Sequence, residues 1–478
     1  MRSKASRTAQ ASRTSQASPT VQRLSDALAA GAFVLLFVAF VVLRANGGPE
    51  WYSAGYLNLF YLMAGGLAFV SVAVREVDDP FWWGSTHLLV GGLAAIFIGR
   101  QMDTYVPPEA RGFHVAAIFV VYAAYPFTLP GSLRFARDRW PFVGAFAALL
   151  GVYCYHLVHE PAGSAQAAAV VFIGLVFGAN LFLFPRVVPR DVFLWTLAGT
   201  ATTVVVLGTL AYPLGEYTVA SFDVSLYPAT FSLPLLGEFR SMQSVFANPN
   251  SVGIVGFPGV IAAFVLVHRE FVQERAIPML AALGLLSVNS FGILLSWSRA
   301  AWLASAVGVG LYLSVVVLGR RSAPYVIVAF GGLTLLFILG IYTSILPITT
   351  NGRGALWSAA FEAALSAPST LFGHGLENTH ELTAQFLEIE RHKGKSPHNS
   401  YLQLFIRTGV VGLLSLLTLT VGAVVDGARR AEEVDLAALA LGSAFVVHYL
   451  FESYQIFNIA IGSLISALAF GYLLASGE

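Results

Sequence analysis

The chain has 478 residues, of which 56% are hydrophobic and only 11% charged. A soluble domain carries about 25% charged residues, so composition excludes a soluble enzyme, and a net charge of +1 gives no basis for binding nucleic acid. Apolar runs of roughly 17–23 residues, as a bilayer-spanning helix requires, recur along nearly the whole chain. The expected fold is an all-α, polytopic transmembrane helix bundle of about 12–14 spans, with a large extracytoplasmic loop containing short amphipathic helices.

Residues 1–26, rich in Ser, Ala, Thr and Arg, read as a disordered, basic cytoplasmic tail. No small-residue cleavage site follows the first apolar run, so the tail is not read as a cleavable signal. An N-terminal bundle over 27–212 is expected to hold spans near 27–43, 52–74, 82–99, 113–130, 141–159, 166–184 and 192–212. A polar loop at 213–250 separates it from spans near 251–268, 277–296, 300–319 and 324–346. The longest polar stretch, 347–399, precedes spans near 400–421, 434–451 and 456–475. Cys154, the single cysteine, falls inside a span, so no intramolecular disulfide can form.

Basic residues orient the bundle. With both termini cytoplasmic, Arg75, Arg134, Arg137, Arg139, Arg186, Arg190, Arg269, Arg275, Arg320, Arg321, Arg429 and Arg430 all fall inside. Both long polar loops then lie outside, together with the exceptions Arg44, Arg100, Arg111, Arg240, Arg299, Arg353, Arg391, Lys393, Lys395 and Arg407.

Loop 213–250 contains Pro213, Pro228, Pro234 and Pro249 among several aromatics, and ends Asn248-Pro249-Asn250. Asn250 is the expected N-cap of the following span. Arg240 lies just above that span, either as an arginine snorkelling to lipid headgroups or as a cation facing a cavity. Arg299, in Ser296-Trp-Ser-Arg299, sits at the outer junction of two spans, between Trp297 and Trp302, and admits the same two readings.

The 347–399 loop is long for a connection between helices, and such loops are functional or disordered. Residues 355–367 read as an amphipathic helix with Leu356, Trp357, Ala360, Phe361, Ala364 and Leu365 on one side, preceded by Arg353 and stopped by Pro368. A second helix should start at Asn378, where Asn378 and Glu381 have capping-box spacing, with Leu382, Phe386 and Ile389 along one face. Four histidines, His374, His380, His392 and His398, lack the spacing of a zinc site. His398, flanked by Pro397 and Asn399 at the start of the next span, stands apart; a lone histidine there either caps the helix or takes a proton.

Arginine offers a planar fork of donors suited to phosphate oxygens, and histidine is the usual proton acceptor near neutral pH. Three arginines and a histidine on one membrane face suit glycosyl transfer from a polyprenyl-diphosphate sugar. At these residues the chain resembles the O-antigen ligase and polymerase family of bacterial envelope glycan enzymes. The matching elements are Arg240 with Phe246-Ala-Asn-Pro-Asn250, Ser296-Trp-Ser-Arg299, Arg353-Gly-Ala-Leu-Trp357, Gly373-His-Gly375 and Pro397-His-Asn-Ser-Tyr-Leu402, with Gly409 and Gly412 beyond. They cover roughly 240–412.

The resemblance implies a metal-independent, inverting glycosyltransferase that uses no cofactor. His398 would be its base, and Arg240, Arg299 and Arg353 would hold the diphosphate, with Asn250, Trp357, Asn399 and Tyr401 in support. The implied partners are a polyprenyl-diphosphate-linked glycan, an acceptor glycan, lipid or protein, membrane lipids and a separate flippase that supplies the donor. Arg407, nine residues into the helix after His398, is expected to face a polar cavity or pair with a carboxylate.

Two other classes fit parts of the pattern. A transporter or flippase for lipid-linked glycans would need charges within several spans and paired broken helices. A peptidoglycan-type glycosyltransferase would favour an essential loop acid, for which Asp223, Glu362 and Glu377 are candidates.

Overall fold

The computed structural model of the chain describes residues 135–475 with short interruptions, the longest at 160–169, 344–351 and 455–460. The tail and the expected spans 27–43, 52–74, 82–99 and 113–130 lie outside the described residues, and 166–184 is described only in part. The described chain is a mostly helical polytopic membrane bundle in which seven helices are long and apolar enough to cross a bilayer.

In chain order, helix α1 is Trp140–His159 and α2 is Arg190–Leu214. Helix α3 is Pro249–Val272, α4 Ala276–Leu295, α5 Arg299–Leu318 and α6 Ala323–Tyr342. Arg353–Leu365 forms α7 and Thr379–Ala384 forms α8. Helix α9, Ser400–Leu417, runs through a π turn at Thr418–Gly422 into α10, Ala423–Arg429. Leu436–His448, α11, and Ile461–Ala475, α12, are shorter.

Burial follows position in the bundle. Helix α3 is the central helix, buried on nearly every side, and Gly256 allows close packing there, since a Cβ on it would lie 2.4 Å from Ile293 Cγ2. Helices α4 and α6 expose Ile277, Leu280, Tyr325 and Val328, the side chains a lipid-facing helix presents.

Loop 213–250 is more ordered than its prolines imply. It folds as a three-stranded sheet of β1 (Tyr217–Val219), β2 (Phe222–Leu233) and β3 (Gly237–Ser244), in the order β1-β2-β3. Strands β2 and β3 are antiparallel, with Phe231 opposite Phe239 and Thr230 opposite Arg240. Because side chains alternate along a strand, the Phe231–Phe239 pair packs toward the bundle, while Thr230 and Arg240 take the other face. The helix after the sheet is capped by Asn248, not by Asn250: the Asn248 side chain accepts from the Asn250 backbone N–H at 2.8 Å. Pro249 thus occupies the first helical turn, where its missing N–H costs nothing.

Two expectations for the large loop hold in part. Helix α7 buries Leu356, Ala359, Ala360, Ala363 and Ala364, a stripe at the spacing of one helical face. Phe361 and Leu365, expected on that face, are half exposed at its edge. At α8, the Asn378 side chain accepts from the His380 N–H and donates to Glu381 at 2.9 Å.

Candidate functional site

The site is built where the start of α7, the start of α9 and the segment after α11 converge. Helix α9 is capped by Asn399, whose side chain accepts from the Leu402 N–H at 3.0 Å. Ser453 Oγ holds the approach to α9 by accepting from the Asn399 N–H at 3.1 Å and from Ser396 Oγ at 2.6 Å. Ser400 donates its N–H to Tyr449 O and its hydroxyl to Glu452 O, and Tyr454 N–H returns to Ser400 Oγ. Five polar contacts therefore fasten residues 449–454 to the loop that carries His398.

His398 has φ +47°, a left-handed conformation costing a non-glycine residue about 1–3 kcal/mol and found most often at functional sites. Its environment enforces it. The His398 N–H donates to Ser396 Oγ at 3.2 Å, and Trp357 Nε1 of α7 donates to Pro397 O at 3.0 Å. Trp357 thus supports the histidine by holding the peptide that precedes it. Tyr401 is buried beneath, its hydroxyl 3.4 Å from Val446 O.

Glu452 completes the constellation. Its carboxylate is 6% exposed and divides its two oxygens: Oε1 accepts from Arg353 Nη2 at 3.1 Å, and Oε2 lies 3.3 Å from His398 Nδ1. A carboxylate at Nδ1 favours the tautomer with hydrogen on that nitrogen, leaving Nε2 as proton acceptor. Arg353, the first residue of α7, also stands 6.0 Å from the centroid of Phe451, a cation–π distance. Burial and the charges of Tyr449 and Glu452 push the Tyr454 phenol well above its ordinary pKa, so it stays a neutral hydroxyl beside the site.

Arg299 joins this group. The guanidinium of Arg353 is near enough for its charge to act on Arg299, which is exposed and makes no ion pair among the described residues. The preceding turn holds it in place: Trp297 stacks on Phe231 of the sheet at 4.5 Å and packs edge-on against Trp302 at 5.0 Å, while Trp302 Nε1 donates to Ile293 O at 2.7 Å. The Trp297–Trp302 pair acts as a clamp on the turn.

Arg240 is not brought into contact with these residues. On the outward face of β3, it donates to Tyr227 O at 3.3 Å, to Leu226 O and to Glu216 Oε1 at 3.2 Å. Asn250 contributes its backbone to the α3 cap and no side chain to the cluster. Among the acids weighed from sequence, Asp223 accepts from Thr218 at 2.7 Å, Glu362 and Glu377 are exposed, and none touches His398. Glu452 was passed over because it follows an apolar span; its signal is a carboxylate at the edge of that span, on the same membrane face as His398.

A second feature fixes the loop to α9. The helix is broken at Gly409, with φ 61° and ψ −157°, and Thr370–Gly375 fills the break. His374 and Gly375 donate to Ile406 O and Arg407 O, both at 2.8 Å, while Val410 and Val411 donate to Thr370 O and Leu371 O. The backbone groups freed by the break are therefore re-paired, as membrane depth demands. His156 Nε2 meets Phe372 O at 2.7 Å, and buried His374 meets Ala363 O at 2.8 Å, so both histidines hold the loop to its neighbours. Arg407, just before the break, lies against Tyr153 and pairs with no carboxylate among the described residues.

Residues 281–417 match the family model described as O-antigen ligase. The match takes in Arg299, Arg353, Trp357, His398, Asn399 and Tyr401, while Arg240 and Glu452 flank it. Over 218 residues the chain is 27% identical to the exopolysaccharide production protein ExoQ of Rhizobium meliloti (strain 1021), covering 41% of this chain and 49% of that protein. The chain thus spans about half the length of the curated relative it matches. No solved structure matches. The likeness to the O-antigen ligase family thus rests on residues 281–417, the stretch that carries His398, Arg299 and Arg353.

Proposed function

We propose that this protein transfers a glycan from a polyprenyl-diphosphate donor to an acceptor hydroxyl at the outer face of the cytoplasmic membrane. A separate flippase would deliver the donor to that face. The observation that carries the reading is the Glu452 carboxylate shared between His398 and Arg353. A base oriented by a buried acid is the arrangement that nucleophile activation requires, and an arginine held by the same acid ties leaving-group binding to base position. His398 Nε2 takes the proton from the acceptor hydroxyl as its oxygen bonds to the anomeric carbon from the face opposite the leaving group, inverting that centre. The bond from that carbon to the diphosphate oxygen breaks, and the electron pair leaves with the polyprenyl diphosphate. Arg299 and Arg353 stabilise that growing charge, and no cofactor or metal is invoked. Arg240 assists after turning away from Glu216.

A second reading makes the acceptor a growing polysaccharide, so that the enzyme polymerises glycan. It is supported by the exopolysaccharide production named for the relative. Gene deletion tests both, with wild-type and His398→Ala copies returned. Transfer predicts that the deletion loses a surface glycan and accumulates its lipid-linked precursor, and that only the wild-type copy restores the glycan. Unchanged precursor levels would count against the proposal. Polymerisation predicts surviving short glycan units, and ligation predicts loss of all attached glycan.

A further inference from the structure

The bundle has a second built site at its opposite end. Helix α5 begins at Arg299 beside the transfer site and ends about 30 Å away; α11 runs between the same two faces in the other direction. Where α5 ends, a cavity of ≈ 390 Å³ is lined by His268, Arg269, Tyr312, Arg320 and Asp435. Nothing in the proposed transfer reaction uses it.

Its charge balance favours an anion. Asp435 is paired to both Arg190, at 2.7 Å, and Arg269, at 2.6 Å, and Arg269 also pairs with Asp191. Arg320 pairs with no carboxylate among the described residues: its Nη1 donates to Ala431 O and Val434 O, both at 2.8 Å, and to Glu432 O at 3.5 Å. Three guanidiniums thus meet two carboxylates, and the remaining donors of Arg320 have no partner among the described residues. His268 turns Nδ1 to the Tyr312 hydroxyl at 2.9 Å, which leaves Nε2 for a further contact.

The walls distinguish a lipid from a soluble ion. Val272 and Val316 line the cavity and are themselves exposed on membrane-spanning helices, so the opening adjoins the bilayer. A basic pocket between transmembrane helices, bordered by apolar side chains at headgroup depth, suits an anionic phospholipid. We propose that this cavity binds the phosphate headgroup of an anionic phospholipid in the leaflet opposite the transfer site, with Arg320 and His268 on the phosphate and an acyl chain along Val272 and Val316.

The test is thermal unfolding of the full-length protein in detergent with added phosphatidylglycerol, phosphatidylcholine or inorganic phosphate. A ligand that binds only the folded state raises the unfolding temperature. Phosphatidylglycerol should do so, and the other two should not. Arg320→Gln removes a charge-assisted contact and should weaken the apparent phosphatidylglycerol affinity about tenfold. Gln273→Glu is the decisive variant: it places a like charge among the lining residues and removes no side-chain hydrogen bond found among the described residues. It should leave the lipid-free unfolding temperature unchanged and cut the phosphatidylglycerol effect. Equal stabilisation by both lipids, or an undiminished effect in Gln273→Glu, would overturn the proposal. Inorganic phosphate reproducing the whole shift would overturn the lipid as its source.

Discussion

Glu452 Oε2 stands 3.3 Å from His398 Nδ1 across 54 positions of sequence, and the pairing turns a loop histidine into an oriented one. Glu452→Gln keeps the shape, but its amide can donate to Nδ1 and place the ring hydrogen on Nε2. A positioned base contributes about 10²–10⁴-fold, so Glu452→Gln should slow single-turnover transfer by about 10²-fold or more. Normal transfer per folded molecule, with only a lowered unfolding temperature, would leave Glu452 a structural role alone.

His398 combines backbone strain with the base role proposed for it, and the two separate on mutation. His398→Gly removes the base and the ring partner of Glu452 but fits φ +47° without backbone penalty, so transfer should fall by about 10²–10⁴-fold while the unfolding temperature stays above that of His398→Ala. His398→Gln should transfer nearly as poorly as His398→Ala, because glutamine cannot accept the proton. A His398→Gln enzyme close to wild-type rate would take the histidine out of the mechanism.

The three arginines should not respond alike. Arg299, without an ion pair among the described residues, is available to substrate: Arg299→Ala should keep its unfolding temperature and lose about ten- to a hundredfold in transfer. Arg353→Ala also strips a partner from buried Glu452 and should destabilise the fold by about 1–3 kcal/mol. Arg240, held by Glu216 and two carbonyls of β2, should cost no more than about tenfold when replaced by alanine. Lysine at 299 or 353 should rescue only part of the activity, since it keeps the charge and loses the fork. Full rescue at both positions in reconstituted transfer would mark them as headgroup anchors.

The break in α9 is sterically required. A Cβ on Gly409 would lie 2.4 Å from the Leu371 carbonyl carbon, and one on Gly373 would lie 2.6 Å from the Arg407 carbonyl. Both glycines also have positive φ. Gly409→Ala or Gly373→Ala should therefore cost more than the about 1–3 kcal/mol of backbone strain alone and lower the unfolding temperature. Wild-type unfolding temperatures in both variants would show that the loop does not need the break.

How much of this was readable in advance depends on the range of the forces involved. Apolar length marks a span without reference to any partner, so the expected spans 141–159, 277–296 and 300–319 reappear as α1, α4 and α5 within a few residues. Capping is similarly local: Asn378 was identified from its spacing to Glu381, whereas Asn250 was mistaken for a cap two residues beyond the true one, Asn248. The sheet at 217–244 was missed because prolines and a weak alternation resemble an irregular loop until strands pair.

The family motifs and the pattern of basic residues singled out His398, Arg299 and Arg353 as candidates from sequence alone. Only the tertiary structure set Arg240 on the far face of the sheet and brought Glu452 between His398 and Arg353. A carboxylate at a span boundary looks like an ordinary charge at the membrane surface. Its role emerges when the α9 cap and the turn after α11 close on each other, because an ion pair depends on distance through space, which sequence separation does not report.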